Sequence, residues 1–193
     1  MNKAGEGTYD LDDRQMIHEI QHGNKEYLNV IAEKYYDDIY RFCYFQTGDS
    51  EASYDYAQET FLRFIRYVDH YRYRNLKGYL LTIARNICRD AYHRKKLKET
   101  LSLMEEELEE RYAGTDDLTA EKMIRGEHSR QLADALFGLP DMQREAVILH
   151  CYYNMKYREV AKMTDAKSST VKSRVKQGLE KLRQMLKKED FYG

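Results

Sequence analysis

The chain has 193 residues, enough for one large domain or two small ones, and 34% of them are charged. Ten glycines, one proline and the lack of a long run of alternating apolar and polar residues exclude a β-rich fold and favour an all-α protein. The formal net charge of −1 conceals a strong segregation, since residues 75–98 and 156–188 are basic and residues 99–127 are acidic. This separation predicts that a polyanion is bound at two places.

Two helices are predicted in the first 47 residues. A short helix carries Ile17 and Ile20 and ends at Gly23, and Asn24 then caps a helix over residues 25–47. The buried face of this second helix is predicted to consist of Leu28, Ile31, Tyr35, Ile39, Phe42 and Cys43.

Two further helices are predicted up to residue 96. Asp49 or Ser50 caps the third, which runs to about Val68, and Asn75 caps the fourth, which ends near Lys96. Their inward residues are Ala57, Phe61, Phe64, Ile65 and Val68 in the third helix and Leu80, Ile83, Ala84 and Ile87 in the fourth. A polar loop rich in tyrosine and arginine separates them, and the fourth helix ends in a basic run that also suits the helix dipole.

The second half opens with an acidic linker that has little apolar periodicity. Helices are then predicted over residues 118–137 and 141–153, with Pro140 suited to a first helical position.

Residues 157–186 have the pattern of a helix-turn-helix. The first helix is short, Asp165 stands at the bend because Asp tolerates left-handed backbone, and Ser168 or Ser169 caps the second helix. The predicted buried stripe of the second helix is Val171, Val175, Leu179, Leu182 and Leu186, and its opposite face carries Ser169, Ser173, Lys176 and Gln177. Such a helix suits the major groove of DNA, and an ordinary amphipathic surface helix is the alternative.

The three cysteines, Cys43, Cys88 and Cys151, lie far apart, each in an apolar helical context. An odd number without C-x-x-C spacing or nearby histidine pairs argues against a disulfide framework and against a zinc site. We expect buried, reduced thiols, with redox sensing as the alternative.

The sequence predicts no catalytic residues, no cofactor and no metal site. It has no Gly-rich phosphate loop, no H-E-x-x-H pattern and no nucleophile elbow. The adjacent His150 and Cys151 would point about 100° apart on a helix, so a shared site is not expected. Since neither a signal pattern nor a run long enough to span a membrane is present, we expect a cytoplasmic protein.

Three segments carry a resemblance to a known family. They read YAQETFLRFIR at residues 56–66, NLKGYLLTIARNICRDAYHRKK at 75–96, and LPDMQREAVILHCYYNMKYREVAKMTDAKSSTVKSR at 139–174. In this order and spacing they resemble the bacterial RNA polymerase sigma factors of the extracytoplasmic-function group, and the likeness extends over nearly the whole chain.

The resemblance implies two helical domains, a σ2-like helical bundle and a σ4-like helix-turn-helix domain, joined by an acidic linker. The expected boundaries are a disordered N-terminus at 1–9, the σ2-like domain at 10–97, the linker at 98–117, the σ4-like domain at 118–188 and a tail at 189–193.

The resemblance also implies a role for each segment. The third helix would bind the β′ clamp helices of core RNA polymerase through Asp55, Gln58, Glu59 and Arg63. The loop and the fourth helix would melt and read the −10 element through Tyr71, Arg72, Tyr73, Arg74, Asn75, Lys77, Arg85, Arg89, Arg94, Lys95 and Lys96. The helix-turn-helix would read the −35 duplex through Lys167, Ser168, Ser169, Thr170, Lys172, Ser173, Arg174, Lys176 and Gln177. Tyrosines can stack on unpaired bases, and Lys and Arg can hold phosphates.

The implied partners are core RNA polymerase, at its β′ clamp helices and β flap, promoter DNA, and an anti-sigma factor. The alternative function is a helix-turn-helix regulator that binds duplex DNA without polymerase, and such a protein would not need the aromatic loop and the basic fourth helix. One departure from the family is the turn Thr164-Asp165-Ala166, where leucine, glycine and isoleucine are usual, and another is Ser169 in place of a glycine. Losing two large apolar residues is expected to thin the packing between the two helices.

Overall fold

Helical signals dominate the sequence, and the structure follows them. A computed structural model describes residues 12–72, 75–102 and 127–186 of the chain. Within these ranges the α-helices are α1 (Asp13–Gln21), α2 (Glu26–Thr47), α3 (Ser50–Tyr67), α4 (Leu76–Ser102), α5 (Glu127–Phe137), α6 (Asp141–Val147), α7 (Tyr157–Met163) and α8 (Ser168–Met185). A short 3-10 turn, Val68–His70, follows α3, and a π-helical segment, Ile148–Tyr152, continues α6. The described residues contain no β-strand, and the prediction of an all-α protein is confirmed.

Local signals at the helix ends are largely those that the sequence indicates. The carboxylate of Asp12 accepts the backbone N–H of Gln15 at 2.8 Å, while the Gln15 side chain accepts the N–H of Asp12 at 2.9 Å, a capping box that begins α1. The side-chain oxygen of Asn75 accepts the N–H of Gly78 at 2.9 Å and caps α4 as predicted. Gly48 ends α2 with a φ of 72°, a left-handed conformation that glycine adopts without strain.

The described residues form two compact units. Residues 12–43 and 51–102 make up the first, and residues 44–50 with 127–186 make up the second. The expected disordered N-terminus, the linker beyond residue 102, the first part of the helix predicted at 118–137 and the C-terminal tail all lie outside the described residues.

The core of the first unit is built from one face of each of α1 to α4. Its fully buried side chains include Met16 from α1, Ile39 and Phe42 from α2, Phe64 from α3 and Leu80 from α4. Of the predicted core residues, Leu28 and Ile83 are only half-buried, and Ile65 is 46% exposed. It follows Phe64 by about 100° around α3, and only the position of the neighbouring helices decides which of the two is covered.

The cysteines divide between the core and the surface. Cys43 and Cys88 are both buried, whereas Cys151 is exposed, so the expectation of three buried thiols is wrong for Cys151. A hydrogen bond with the Cys88 thiol, and burial, raise the pKa of the Cys43 thiol well above its usual range. This favours the neutral, unreactive form of Cys43.

The second unit is organised around α8, which packs against α6 and α7. Gly178 of α8 is buried, and a Cβ added there would lie 2.6 Å from Cγ2 of Val147. This glycine therefore allows α8 to approach α6 more closely than any other residue would. The helix predicted over 141–153 is present but changes to π geometry from Ile148 onward.

Candidate nucleic-acid interface

The turn of the helix-turn-helix is closed by hydrogen bonds despite its unusual residues. Asp165 adopts a φ of 51°, the left-handed conformation expected at the bend. The N–H of Ala166 donates to the carbonyl of Ala161 at 2.9 Å, the bond that closes a Schellman-type helix end. Thr164 is buried, and its hydroxyl donates to the carbonyl of Val160 at 2.8 Å. In this turn, where large apolar residues are usual, hydrogen bonds hold the backbone in place.

The start of α8 differs from the prediction. Lys167 is its N-cap and makes no side-chain capping bond, and Ser168 and Ser169 already belong to the first turn of the helix. The proposed serine cap is therefore wrong, because the helix begins at Ser168 itself and both serine side chains are exposed. The first N–H groups of α8 lack a side-chain cap, and the exposed hydroxyls stand beside them.

The outward face of α8 is polar and accessible. Of the predicted −35 contacts, only Arg174 is half-buried, and the exposed ones are Lys167, Ser168, Ser169, Thr170, Lys172, Ser173, Lys176 and Gln177. The Gln177 amide donates to the Ser173 hydroxyl at 3.2 Å and its oxygen accepts the Gln143 amide of α6 at 2.9 Å. These bonds fix Gln177 at the edge of the exposed face.

The buried side of α8 corrects one predicted core residue. Val171, Val175 and Leu182 are buried as expected and Leu186 is half-buried, but Leu179 is exposed and Gly178 is buried in its place. The close contact with α6 rotates the packed line by one residue at this point, which the sequence pattern alone does not reveal.

In the first unit, the turn after α3 places one predicted stacking residue in the core. Tyr71 is only 7% exposed, and its ring centroid lies 4.8 Å from that of Tyr79. Burial, the Asp13 carboxylate and Tyr79 raise the pKa of its hydroxyl to about 12. Tyr71 is therefore part of the core. Its ring is too buried to stack on a base, so its predicted role as a base-stacking platform is not supported by this structure.

Arg72 and Asn75 are the described loop residues between Tyr71 and α4. Arg72 is exposed, and Asn75 is exposed while its side chain caps α4. Tyr73 and Arg74 lie outside the described residues.

The basic residues of α4 fall into two groups. Arg85 is 7% exposed, too buried to reach a phosphate, so its predicted DNA contact is not supported by this structure. The Lys77 ammonium lies 2.7 Å from the Asp38 carboxylate and ties α4 to α2. Arg89, Arg94, Lys95 and Lys96, farther along the helix, are exposed. The accessible cationic surface therefore lies in the second half of α4.

On α3 the predicted polymerase contacts adjoin an apolar strip that the sequence analysis did not identify. Asp55 and Gln58 are exposed, and Glu59 and Arg63 form an ion pair at 2.7 Å. The strip consists of Tyr54, Leu62 and Ile65, which are 48%, 59% and 46% exposed and recur around Gln58 at helical spacing. The signal in the sequence is a second set of apolar residues, offset from the core-facing set.

Among the residues of the described ranges, no group of three or more His, Cys, Asp or Glu side chains is placed to hold a metal ion. None of the helices in the same ranges is long and apolar enough to cross a membrane.

Comparison with known proteins assigns the chain to a family. The family described as Sigma-70 region 2 matches residues 31–98, and Sigma-70, region 4 matches residues 129–182. The ECF RNA polymerase sigma factor EcfG of Rhodopseudomonas palustris is 33% identical over 72% of this chain and 74% of the relative. The chain belongs to the ECF RNA polymerase sigma factors.

Other relatives cover more of this sigma factor at lower identity. SigW of Bacillus subtilis, also an ECF RNA polymerase sigma factor, is 26% identical over 90% of the chain and 96% of its own length. In fold, the sigma factor is similar to RpoE of Bartonella quintana, solved in complex with the anti-sigma factor NepR. That match has a TM-score of 0.66 and 23% identity and covers 86% of this chain and 99% of the other.

Membership of the family settles the general function. The sigma factor acts with RNA polymerase as a promoter-specific initiation factor, and the alternative of a regulator without polymerase receives no support. Because sigma factors are not enzymes, the prediction of a non-enzymatic protein is confirmed by the family.

Proposed function

We propose that the two ends of the sigma factor divide promoter recognition between them. Residues 10–97 bind core polymerase and read the −10 element, and residues 118–188 read the −35 duplex. The observation that carries this division is the separation of two accessible cationic surfaces, one on the second half of α4 and one on α8, each in a different compact unit. Lys and Arg in such surfaces supply affinity for phosphates, while neighbouring polar or aromatic groups supply the discrimination.

The −35 reader is the exposed face of α8. Lys172 and Lys176 project from the first half of the helix with Ser169 and Ser173 beside them, and the opposite side is buried on α6 and α7. This is the arrangement of a helix that enters a major groove by its N-terminal half. Ser hydroxyls and Lys ammonium groups can bind base edges or phosphates there.

The −10 reader is the segment from Arg72 to Asn75 together with the exposed cations Arg89, Arg94, Lys95 and Lys96. Tyr73 is the aromatic platform of this segment, since Tyr71 is buried. The exposed cations hold the backbone of the opened strand, and the aromatic and guanidinium groups stack on unpaired bases.

The docking surface for the β′ clamp helices is the outer face of α3. It combines Asp55 and Gln58 with the exposed Leu62 and Ile65, an apolar patch bordered by polar residues. Such patches are typical of protein interfaces, because burying them on a partner removes apolar area from water. The second unit would contact the β flap.

We further propose that the protein works in the cytoplasm, where core polymerase transcribes, and that an anti-sigma factor controls it. Support for the second point comes from solved relatives: RpoE of Bartonella quintana is in complex with NepR, and CnrH is in complex with the cytosolic domain of CnrY.

The test of the central proposal is run-off transcription with purified core polymerase and a promoter library. We expect the full-length sigma factor to select templates that share two conserved blocks at a fixed spacing and to initiate downstream of them. Tight binding to a duplex without any initiation would refute the proposal and restore the regulator alternative.

A second experiment separates the two readers. Tyr73→Ala or Arg74→Ala is expected to slow open-complex formation, because stacking is worth about 1–3 kcal/mol per base. Binding of the −35 duplex should stay within about twofold of wild type. Tyr152→Ala, at an exposed tyrosine of the π-helical segment, is the matched control. Equal losses in the two assays would contradict the division of labour.

A further inference from the structure

One side chain of α1 bonds the turn that precedes the −10-reading segment. The side-chain nitrogen of Gln21, the last residue of α1, lies 2.8 Å from the carbonyl oxygen of Val68 and 3.0 Å from that of Tyr71. A primary amide has two N–H groups and can donate one to each of two acceptors. Gln21 thus joins both ends of the turn to a helix that lies far away in sequence.

The turn itself supplies one backbone hydrogen bond to this pair of carbonyls. The Val68 carbonyl accepts the N–H of Tyr71 at 3.0 Å within the turn, and the side chains of Val68 and Tyr71 are both buried. The 3-10 turn is too short to continue a helical ladder that would supply further backbone donors to these carbonyls. The Gln21 amide fills this role.

The helix that carries Gln21 is itself anchored. At its other end, the Asp13 carboxylate accepts the Tyr35 hydroxyl at 2.6 Å and the Lys34 ammonium at 2.7 Å, both from α2. Met16 and Ile20 of α1 are buried between these ends. The Gln21 amide therefore has a defined position relative to α2, and its hydrogen bonds hold the turn at a defined position as well.

We propose that Gln21 is a positioning residue for promoter reading: its amide sets the backbone at Val68 and Tyr71 and thereby the direction in which the chain leaves the core at Arg72. This inference rests on the proposed function of residues 72–75 as the −10 reader. The far end of the same segment is also held, since Leu76 is buried and Asn75 caps α4. The described residues on both sides of this segment are therefore held by contacts within the first unit, and preorganised neighbours lower the cost of binding.

The experiment uses the full-length sigma factor assembled with core polymerase and the promoter obtained from the selection above. Gln21→Met keeps the length of the side chain and removes both donors without adding charge. Gln21→Lys returns N–H donors at nearly the same distance. Gln184→Met, at an exposed glutamine of α8, makes the same chemical change away from the turn.

The primary readout is discrimination, measured as the ratio of affinities for a single-stranded −10 oligonucleotide and its scrambled version. We expect Gln21→Met to reduce this ratio about tenfold, the effect of losing one to two neutral hydrogen bonds. Binding of the −35 duplex, association with core polymerase and the thermal midpoint of the chain should remain near wild type. Gln21→Lys should recover most of the ratio, since its added charge strengthens binding to both oligonucleotides alike, and Gln184→Met should leave the ratio unchanged.

Each failure has a distinct meaning. A Gln21→Met protein that discriminates as well as wild type overturns the inference. Parallel losses in discrimination, −35 binding and thermal midpoint also overturn it, because they would make Gln21 a general structural residue. A wild-type protein that never initiates transcription would refute the proposed function instead.

Discussion

The contact between α8 and α6 leads to a prediction about Gly178→Ala. The new methyl would lie 2.6 Å from Cγ2 of Val147, whereas carbon atoms prefer about 3.5–4.0 Å. Val147 is buried and β-branched, so it cannot rotate away at low cost. The remaining contacts of the methyl, with Gln143, are at 3.5 and 3.6 Å and are not strained.

The magnitude follows from two opposing terms. Overpacking of this kind typically costs about 1–3 kcal/mol, and replacing a helical glycine by alanine returns about 0.5–1 kcal/mol. We therefore expect the second unit to lose about 1 kcal/mol of stability, although alanine is the better helix former. Binding of the −35 duplex should fall only as far as the unit unfolds.

The assay is amide hydrogen exchange of the full-length chain, followed in peptides from α6 and α8. Exchange there should accelerate about fivefold in Gly178→Ala, while peptides from α4, which lies wholly in the first unit, serve as an unchanged internal reference. Glu180→Ala, at an exposed position of the same helix, is the matched control. In the double variant Gly178→Ala, Val147→Ala the new methyl occupies space that the valine has left, so the destabilisation should be smaller than the sum of the single effects. Faster exchange in Glu180→Ala than in Gly178→Ala, or additive single effects, would refute the reasoning.

Three further predictions concern the first unit and the recognition helix. The pKa of Tyr71 is about 12 in the folded protein and 10.0 in the unfolded chain. Its contribution to the free energy of unfolding is therefore complete below pH 10 and is lost as the pH rises to 12, at about 1.4 kcal/mol per pH unit. Tyr71→Phe should flatten the alkaline decline of the thermal midpoint, and an equal effect of Tyr92→Phe on the surface would contradict this. Lys172→Ala should lower the slope of log affinity for the −35 duplex against log salt by about 1, if one phosphate contact is lost, and an unchanged slope would place Lys172 away from the phosphates. Leu62→Ala should weaken association with core polymerase about tenfold, because burying a leucine side chain contributes about 1.5–3 kcal/mol. The measurement is a competition assay, and wild-type affinity would show that this face of α3 is not the docking surface.

Much of this protein was readable from local sequence signals. Apolar spacing predicts the helices because a helix must bury one face, and Asn75 and Asp165 mark a cap and a bend through properties of their own side chains. The order of three motifs carries the family, since it depends on residue identity and not on packing. The charge blocks likewise indicate polyanion binding, because most Lys and Arg side chains lie at the surface in any fold.

Burial at the borders between helices was decided only by the tertiary structure. Tyr71 and Arg85 look like surface residues in the sequence, yet the neighbouring helices cover both, while Ile65 and Leu179 look like core residues and are exposed. A one-residue step turns a helical side chain by about 100°, so periodicity cannot tell which of two adjacent residues a partner helix will cover. The bonds from Gln21 to Val68 and Tyr71 span almost fifty residues, 47 and 50, and have no local signal at all. Residue types and their spacing thus determine which helices form and indicate the class of partner. The contacts between helices determine which side chains remain exposed and able to bind that partner.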